Sequence, residues 1–481
     1  MNRSAILAVL PLVFAGSSAF AEATDEGAAR LTEVFQTYLG TVEGVVTVAV
    51  DGDSYTLTLD AAPLTALAAQ SGGTATVTPM VMTLADNGDG TWDVTQDQAV
   101  AMTIAVPGEI DMTVAVESFS SDGVFDEALM SFTSSSAEMT NMKVVQKIND
   151  PTAGEVTINF AVASATYETT GVAGAAGGVD STMTMQMTGF TEDFALPASE
   201  GMPSMPVSVT AESITQTGKI DGLRPDAFYQ MIAWFVANPT EEAMKAQKAG
   251  MRSILQGGLP LFNAMTTNST AKNLAITTPM GGVSMAEMGV DLNLNGVVAD
   301  GKVQQAISVK GLTLPVEMMP AWAVPILPKD VSVDFQVTGF DAAAAANVAM
   351  GLFDLPDGAE PDAAFDAAML AALLPTGSVT IGLNPGSISG EGYALTYEGS
   401  MNAGPETEIP TGTAKITLTG IETLQAALDA APDDIKGQAM MGVGMAQGMA
   451  ETDSNGALVW EIDASTPGSL FINGTQMMGG N

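Results

Sequence analysis

From Val46 onward the chain alternates apolar with small or hydroxylated residues. Val46, Val48 and Val50 are separated by Thr47 and Ala49, and Tyr55, Leu57 and Leu59 by Thr56 and Thr58. A period of two places each set on one face of a pleated strand, whereas a helix would scatter it around its surface. Between the two runs, Asp51-Gly52-Asp53-Ser54 has the residues that tolerate positive φ, which predicts a hairpin. The pattern recurs at Met102, Ile104, Val106 and at Ile110, Met112, Val114, Val116, with Pro107-Gly108 as the turn. One buried and one solvated face is the signature of antiparallel pairing. Strands of this kind are expected to about Thr217.

Helical periodicity appears first at residues 24–39, where Leu31, Val34, Phe35 and Leu39 share one face. It returns in the second half as helix pairs: 225–238 with 240–255, 341–355 with 362–374, and 422–431 with 433–449. Asn238-Pro239 splits the first pair, and Thr240 caps its second member with Glu241 and Glu242 in the first turn. Gly437, Gly442, Gly444 and Gly448 weaken the last helix. A weak repeat joins the pairs, in which a strand ends in a Thr-Gly step and helices follow. Thr217-Gly218, Thr338-Gly339 and Thr419-Gly420 fit it, while Thr188-Gly189 and Lys310-Gly311 end strands without a helix pair behind them. The fold class expected is α+β and β-dominated: a large, curved, mostly antiparallel sheet with helical hairpins packed on one face. The organisation expected is a signal at residues 1–21, a β-rich region with a short leading helix at 22–222, and strand-helix-helix-strand units at 223–481.

The chain contains neither cysteine nor histidine. That removes disulfides, thiol catalysis, Ser-His-Asp triads and the usual zinc ligand sets, so the fold rests on its core and no cofactor is implied. With 15 Lys+Arg against 55 Asp+Glu the formal charge is −40, which repels phosphate backbones and excludes nucleic acid as a partner. Only 15% of residues are charged and 46% are hydrophobic, a balance that supplies a core rather than a disordered acidic tail. The 31 methionines read as adaptable core filler, a residue type that also suits surfaces re-packing around apolar ligands.

Carboxylate, lysine and hydroxyl chemistry remains. Ser269-Thr270-Ala271-Lys272 matches S-x-x-K, but the partner motifs of serine acyl-enzymes are missing and the segment reads as a connecting loop at the start of a strand. The acidic run from Asp86 to Asp93 brings oxygens together, yet Gly88 stands where a calcium loop needs a ligand, so it reads as a glycine-rich turn. Asp453-Ser454-Asn455-Gly456 reads as a hairpin turn. Nothing in the sequence places two carboxylates together for glycoside hydrolysis, and no phosphate-binding glycine loop occurs.

Residues 1–21 have the three parts of a secretory signal: Arg3, an apolar run over 5–15, and Ala19-Phe20-Ala21 as the cleavage pattern. Cleavage near Ala21 would leave a periplasmic or secreted chain. Later apolar runs are too short to cross a bilayer, so no integral span is expected in the mature chain.

The strongest amphipathic signal is aromatic. Phe228, Met231, Ile232, Trp234 and Phe235, with Leu259, Leu261 and Phe262 beyond, concentrate apolar bulk in one helical pair. Burial against the chain's own sheet is one reading of this cluster, and the mouth of an apolar ligand groove is the other. From Leu223 to the C-terminus the chain resembles an uncharacterised family of exported alphaproteobacterial proteins, known only as a domain of unknown function. Leu223-Arg224-Pro225-Asp226, the strand-Thr-Gly-helix units and the closing Gly468-Ser469-Leu470-Phe471-Ile472-Asn473-Gly474 hairpin carry that resemblance. It implies no activity, ligand or catalytic residue. Strands overlaid by helices are also similar, in architecture alone, to envelope proteins that form β grooves for lipid or assist outer-membrane assembly. The function expected is therefore a non-catalytic envelope protein binding an apolar or lipid-like ligand. The alternatives are an assembly factor docking another envelope protein and a carboxylate-based hydrolase.

Overall fold

The computed structural model describes residues 22–63, 65, 73–150, 154–197, 204–356, 359–405 and 410–479. The export signal read at residues 1–21 lies outside them. Of the described residues 54% are strand and 24% helix, and the strands form a large open antiparallel sheet. The chain divides into two compact units, Met1–Met187 with Ile220–Gly258 and Thr188–Lys219 with Leu259–Asn481. No helix among the described residues is long and apolar enough to cross a membrane.

The first unit opens with α1 (Asp25–Leu39), capped by Thr24, whose hydroxyl accepts from the Gly27 N–H at 3.0 Å. Its strands are β1 (Val46–Asp51), β2 (Ser54–Leu59), β3 (Thr74–Val77), β4 (Met80–Asp86), β5 (Thr91–Val106), β6 (Ile110–Asp126), β7 (Ser131–Asp150) and β8 (Gly154–Ala173). The predicted apolar series face each other across the first hairpin, as Val46↔Leu59, Val48↔Leu57 and Val50↔Tyr55. Strand β2 then pairs with β4, and β5 takes β4 along its first part and β3 along its last. Strands β5 to β8 follow in sequence order. Ala28 and Leu31 of α1 close one core with Val45, Val46, Tyr55, Leu57, Leu84 and Trp92. Leu57 is 1% exposed, so truncating it to alanine would cost about 2–5 kcal/mol.

The chain continues through β9 (Val179–Leu196) and β10 (Met205–Leu223), which pair with each other. Three helices complete the first unit: α2 (Pro225–Ala237), α3 (Glu241–Ala246) and α4 (Lys248–Gly258).

The second unit runs as a meander. Strands β11 (Ala264–Thr278), β12 (Gly281–Asn295), β13 (Gly301–Lys310), β14 (Pro328–Phe340), β15 (Val379–Gly390), β16 (Tyr393–Ala403) and β17 (Thr411–Thr419) pair each with the next. Helices α5 (Ala342–Ala349) and α6 (Ala363–Leu373) enter between β14 and β15, capped by Asp341 and Asp362, whose carboxylates accept from Ala344 N–H at 2.7 Å and Phe365 N–H at 2.9 Å. Helices α7 (Ile421–Asp429) and α8 (Asp433–Met449) follow β17 and pack against each other. The chain closes with β18 (Glu451–Thr452), β19 (Leu458–Asp463), β20 (Leu470–Ile472) and β21 (Thr475–Met478).

Three expectations differ from the structure. The helix expected over residues 240–255 breaks at Gln247, whose N–H is shared among the Ala243, Met244 and Lys245 carbonyls while its own carbonyl accepts from Trp234 Nε1 at 3.3 Å. Thr188-Gly189 and Thr217-Gly218 lie inside β9 and β10 rather than at strand ends, because glycine removes a side chain without removing the ladder bonds. Ser269 and Lys272 stand within β11, not in a loop, since β12 pairs with it continuously from Ala264↔Asn295 to Lys272↔Glu287. At a separation of three in a strand they point to opposite faces, so the S-x-x-K geometry does not form.

Candidate functional site

The register of β5 to β8 builds an apolar face that no single strand reveals. Met102, Val114, Val144 and Phe160 stand directly opposite one another across four strands. The next row is Ile104, Met112, Gln146 and Ile158, and the third is Val106, Ile110, Ile148 and Val156. Eleven of these twelve side chains are apolar, and all twelve are half-buried, neither closed into a core nor open to solvent. The opposite face carries Ala105, Asp111, Lys147 and Thr157 at the intervening register. The sheet is thus strongly two-sided here.

Alternation carries this face back along β5 to Trp92 in the closed core, since Trp92, Val94, Gln96 and Met102 share one side of the strand. Gln96 is buried at 7% exposure and its Nε2 has no hydrogen-bond partner among the described residues. A buried amide donor without an acceptor costs about 1–3 kcal/mol, so it marks a position suited to an acceptor oxygen. Beside the core, Trp92 Nε1 donates to Glu127 Oε1 at 2.6 Å. Burial pushes the Glu127 carboxyl above its ordinary value, while the Trp92 hydrogen bond and the Arg30 charge pull the other way.

Helix α2 presents the aromatic cluster that the sequence singled out. Phe228, Ile232 and Phe235, spaced four and three apart, form one exposed stripe at 37%, 47% and 53%. Met231 and Trp234 are half-buried. Trp234 meets Phe235 edge-on at 5.1 Å between ring centroids, and Asn238 Nδ2 donates to the Trp234 carbonyl at 2.7 Å. The helix packs on α1, with Tyr229 tilted against Tyr38 at 5.5 Å, and on α4, where Gly250 lets the backbone approach Trp234. Leu259, Leu261 and Phe262 belong to the other compact unit and are half-buried there.

Other features bear on chemistry. The turn from Asp86 to Asp93 uses its own oxygens: Asp86 accepts from Gly88 N–H, Asp89 accepts from both the N–H and hydroxyl of Thr91, and Asn87 donates to Asp93. Asp453 likewise accepts from the N–H groups of Asn455 and Ala457, each at 2.8 Å. Among the described residues no group of three or more carboxylates gathers to hold a metal ion. A hollow of about 560 Å³ opens where the β5–β6 register shifts, edged by Val100, Val116 and the Glu117–Asn141 hydrogen bond at 2.6 Å. In the second unit, Trp322, Pro325, the Glu422 and Ala426 side of α7 and Ala430 just beyond its end line another hollow of about 610 Å³.

The apolar rows were beyond reach of sequence reasoning, which located the alternating residues of β5 and β6 but had no register for β7 and β8. No family model matches this chain, and no curated protein or solved structure matches it.

Proposed function

We propose that this chain is a non-catalytic exported envelope protein that holds an apolar or lipid-like ligand against a sheet-and-helix surface. The observation that carries the reading is the three half-buried apolar rows of β5 to β8. Apolar side chains on a finished sheet face gain free energy by leaving water, at about 25 cal/mol per Å². These rows retain that potential, because none of their twelve members is closed off. Gln96 supplies a single donor at the core end of the face, which fits a ligand with one polar end and a long apolar body. The exposed Phe228, Ile232 and Phe235 stripe adds a second apolar surface within the same unit.

In this reading the signal at residues 1–21 delivers the chain to the periplasm, the sheet is curved, and the helical hairpins cover one of its faces. The three-part signal pattern of the sequence supports the setting. A second reading, docking of another envelope protein, is favoured by β21, an exposed terminal strand that pairs with β20 and carries Met477 and Met478 at 44% and 55% exposure.

The test is native mass spectrometry, with organic extraction, of the protein purified without detergent from its own periplasm. Co-purifying lipid near one equivalent supports the ligand reading. A clean apo-protein mass together with failure to take up a long-chain fatty acid or phospholipid overturns it in favour of docking.

A further inference from the structure

Helix α8 turns one side inward and one side out. Inward, Gln447 Oε1 accepts from Gln425 Nε2 of α7 at 2.9 Å, the Ala446 carbonyl accepts from Trp460 Nε1 at 2.9 Å, and the Met449 carbonyl accepts from Asn473 Nδ2 at 2.9 Å. Outward stand Met441 and Met445, exposed at 64% and 63%. Each is far more open than an apolar side chain gains by being, since burial would stabilise it by about 1.5–3 kcal/mol.

Their spacing of four stacks one thioether over the next, with about 5–6 Å between the Cβ atoms. Gly437, Gly444 and Gly448 share this side of the helix, and a Cβ built on any of them meets nothing within 4 Å among the described residues. Lys436, the only basic residue of the helix, is engaged with Asp429 at 3.1 Å.

We propose that Met441 and Met445 form a two-thioether site for a soft monovalent cation, of the Cu(I) or Ag(I) class. Thioether sulfur is neutral, polarizable and soft, and it selects such ions over the hard cations that prefer carboxylates. In a chain with no cysteine and no histidine it is also the only soft donor present. Two thioethers carried one turn apart on a single helix can supply both ligands of a two-coordinate ion by side-chain rotation alone. The net charge of −40 raises the local concentration of any cation. Because α8 belongs to the second unit and the apolar rows to the first, this site is independent of the ligand-binding reading.

The experiment is a titration of the folded chain, labelled at its methionine methyl groups with carbon-13, with silver nitrate in chloride-free buffer. The Met441 and Met445 methyl signals, assigned from the single variants M441L and M445L, are expected to shift first and to saturate together near one equivalent. Met280, 55% exposed in a turn between strands, is the control and is expected to move only at higher silver. The double variant M441L/M445L keeps the size and helix propensity of both side chains, and it is expected to lose the first equivalent with at least tenfold weaker binding and an unchanged circular dichroism spectrum. A first equivalent that shifts Met280 or other methionines equally, or that survives in the double variant, overturns the proposal.

Discussion

Asn473 and Glu461 are joined by a reciprocal pair of hydrogen bonds, in which the Asn473 N–H donates to the Glu461 carbonyl at 2.8 Å and the Glu461 N–H donates to Asn473 Oδ1 at 2.7 Å. The same side chain donates through Nδ2 to the carbonyls of Met449 and Val459, each at 2.9 Å. One turn residue, in the left-handed region at φ 47°, thereby ties the end of α8 and strand β19 to the closing hairpin. Asn473→Ala removes the side-chain bonds and strains the backbone, and we expect a loss of about 2–3 kcal/mol in denaturant unfolding. Asn473→Gly relieves the strain and still lacks the bonds, so it should recover only about 1 kcal/mol of that loss. Equal stability of the two variants would show that backbone strain contributes nothing, and a glycine variant as stable as the wild type would show that the bonds contribute nothing.

Glu127 predicts a pH dependence. Its folded-state carboxyl is raised above its ordinary value by burial, so the folded state favours the protonated form. The stability linked to this group is fully present below pH 4.5 and is lost as pH rises through the folded-state value. Glu127→Gln keeps an acceptor for Trp92 and cannot ionise. It should raise the unfolding midpoint at pH 7 relative to Glu43→Gln, an exposed control that removes the same charge, and the difference should vanish by about pH 4. A difference that persists unchanged across this range would refute the assignment.

Val144 and Val145 are neighbours in β7 that face opposite sides of the sheet. Val144→Asp places a charge in the middle of the first apolar row. We expect uptake of a fluorescent apolar dye such as Nile red to weaken at least tenfold, with a stability loss of about 1–2 kcal/mol. Val145→Asp, on the polar face at 38% exposure, should leave dye binding within twofold of wild type. The triple change F228S/I232S/F235S tests the α2 stripe in the same assay, where reduced dye binding at nearly constant stability is the expected result.

Two glycines should respond in opposite directions. Gly420 stands between β17 and α7 at φ 71°, and an added Cβ would lie 1.9 Å from the Gly392 carbonyl oxygen. Gly420→Ala is therefore expected to destabilise by at least about 2 kcal/mol. Gly437, inside α8 and facing open space, carries only the entropic cost of glycine, and Gly437→Ala should stabilise by about 0.5–1 kcal/mol. Thermal and denaturant unfolding of both variants check the pair.

Features with local causes were legible in the sequence. The alternation at Val48 and Leu57 became a directly opposed pair, as did Met102 and Val114. The helix starts at Asp25, Glu241, Ala342 and Ala363 follow capping hydroxyls and carboxylates one residue before. Features with distant causes were hidden. The break at Gln247 depends on an indole thirteen residues away, and Asn473 earns its place through partners at Met449, Val459 and Glu461. The apolar face is the clearest case. Val144 and Phe160 are visible as strand residues, but only the register of four strands brings them into line with Met102 and Val114. The aromatic stripe of α2 lies between these cases, since its spacing is written in the helix while its exposure follows from which sides α1 and α4 occupy.

From β5 to β8, and again from β11 to β17, each strand is hydrogen-bonded to the strand next to it in sequence. Such a sheet can grow one hairpin at a time as the chain emerges, each new strand annealing to the one before. At any moment of growth only the newest strand in a run presents a raw advancing edge, which confines the opportunity for mispairing with another chain to a moving front.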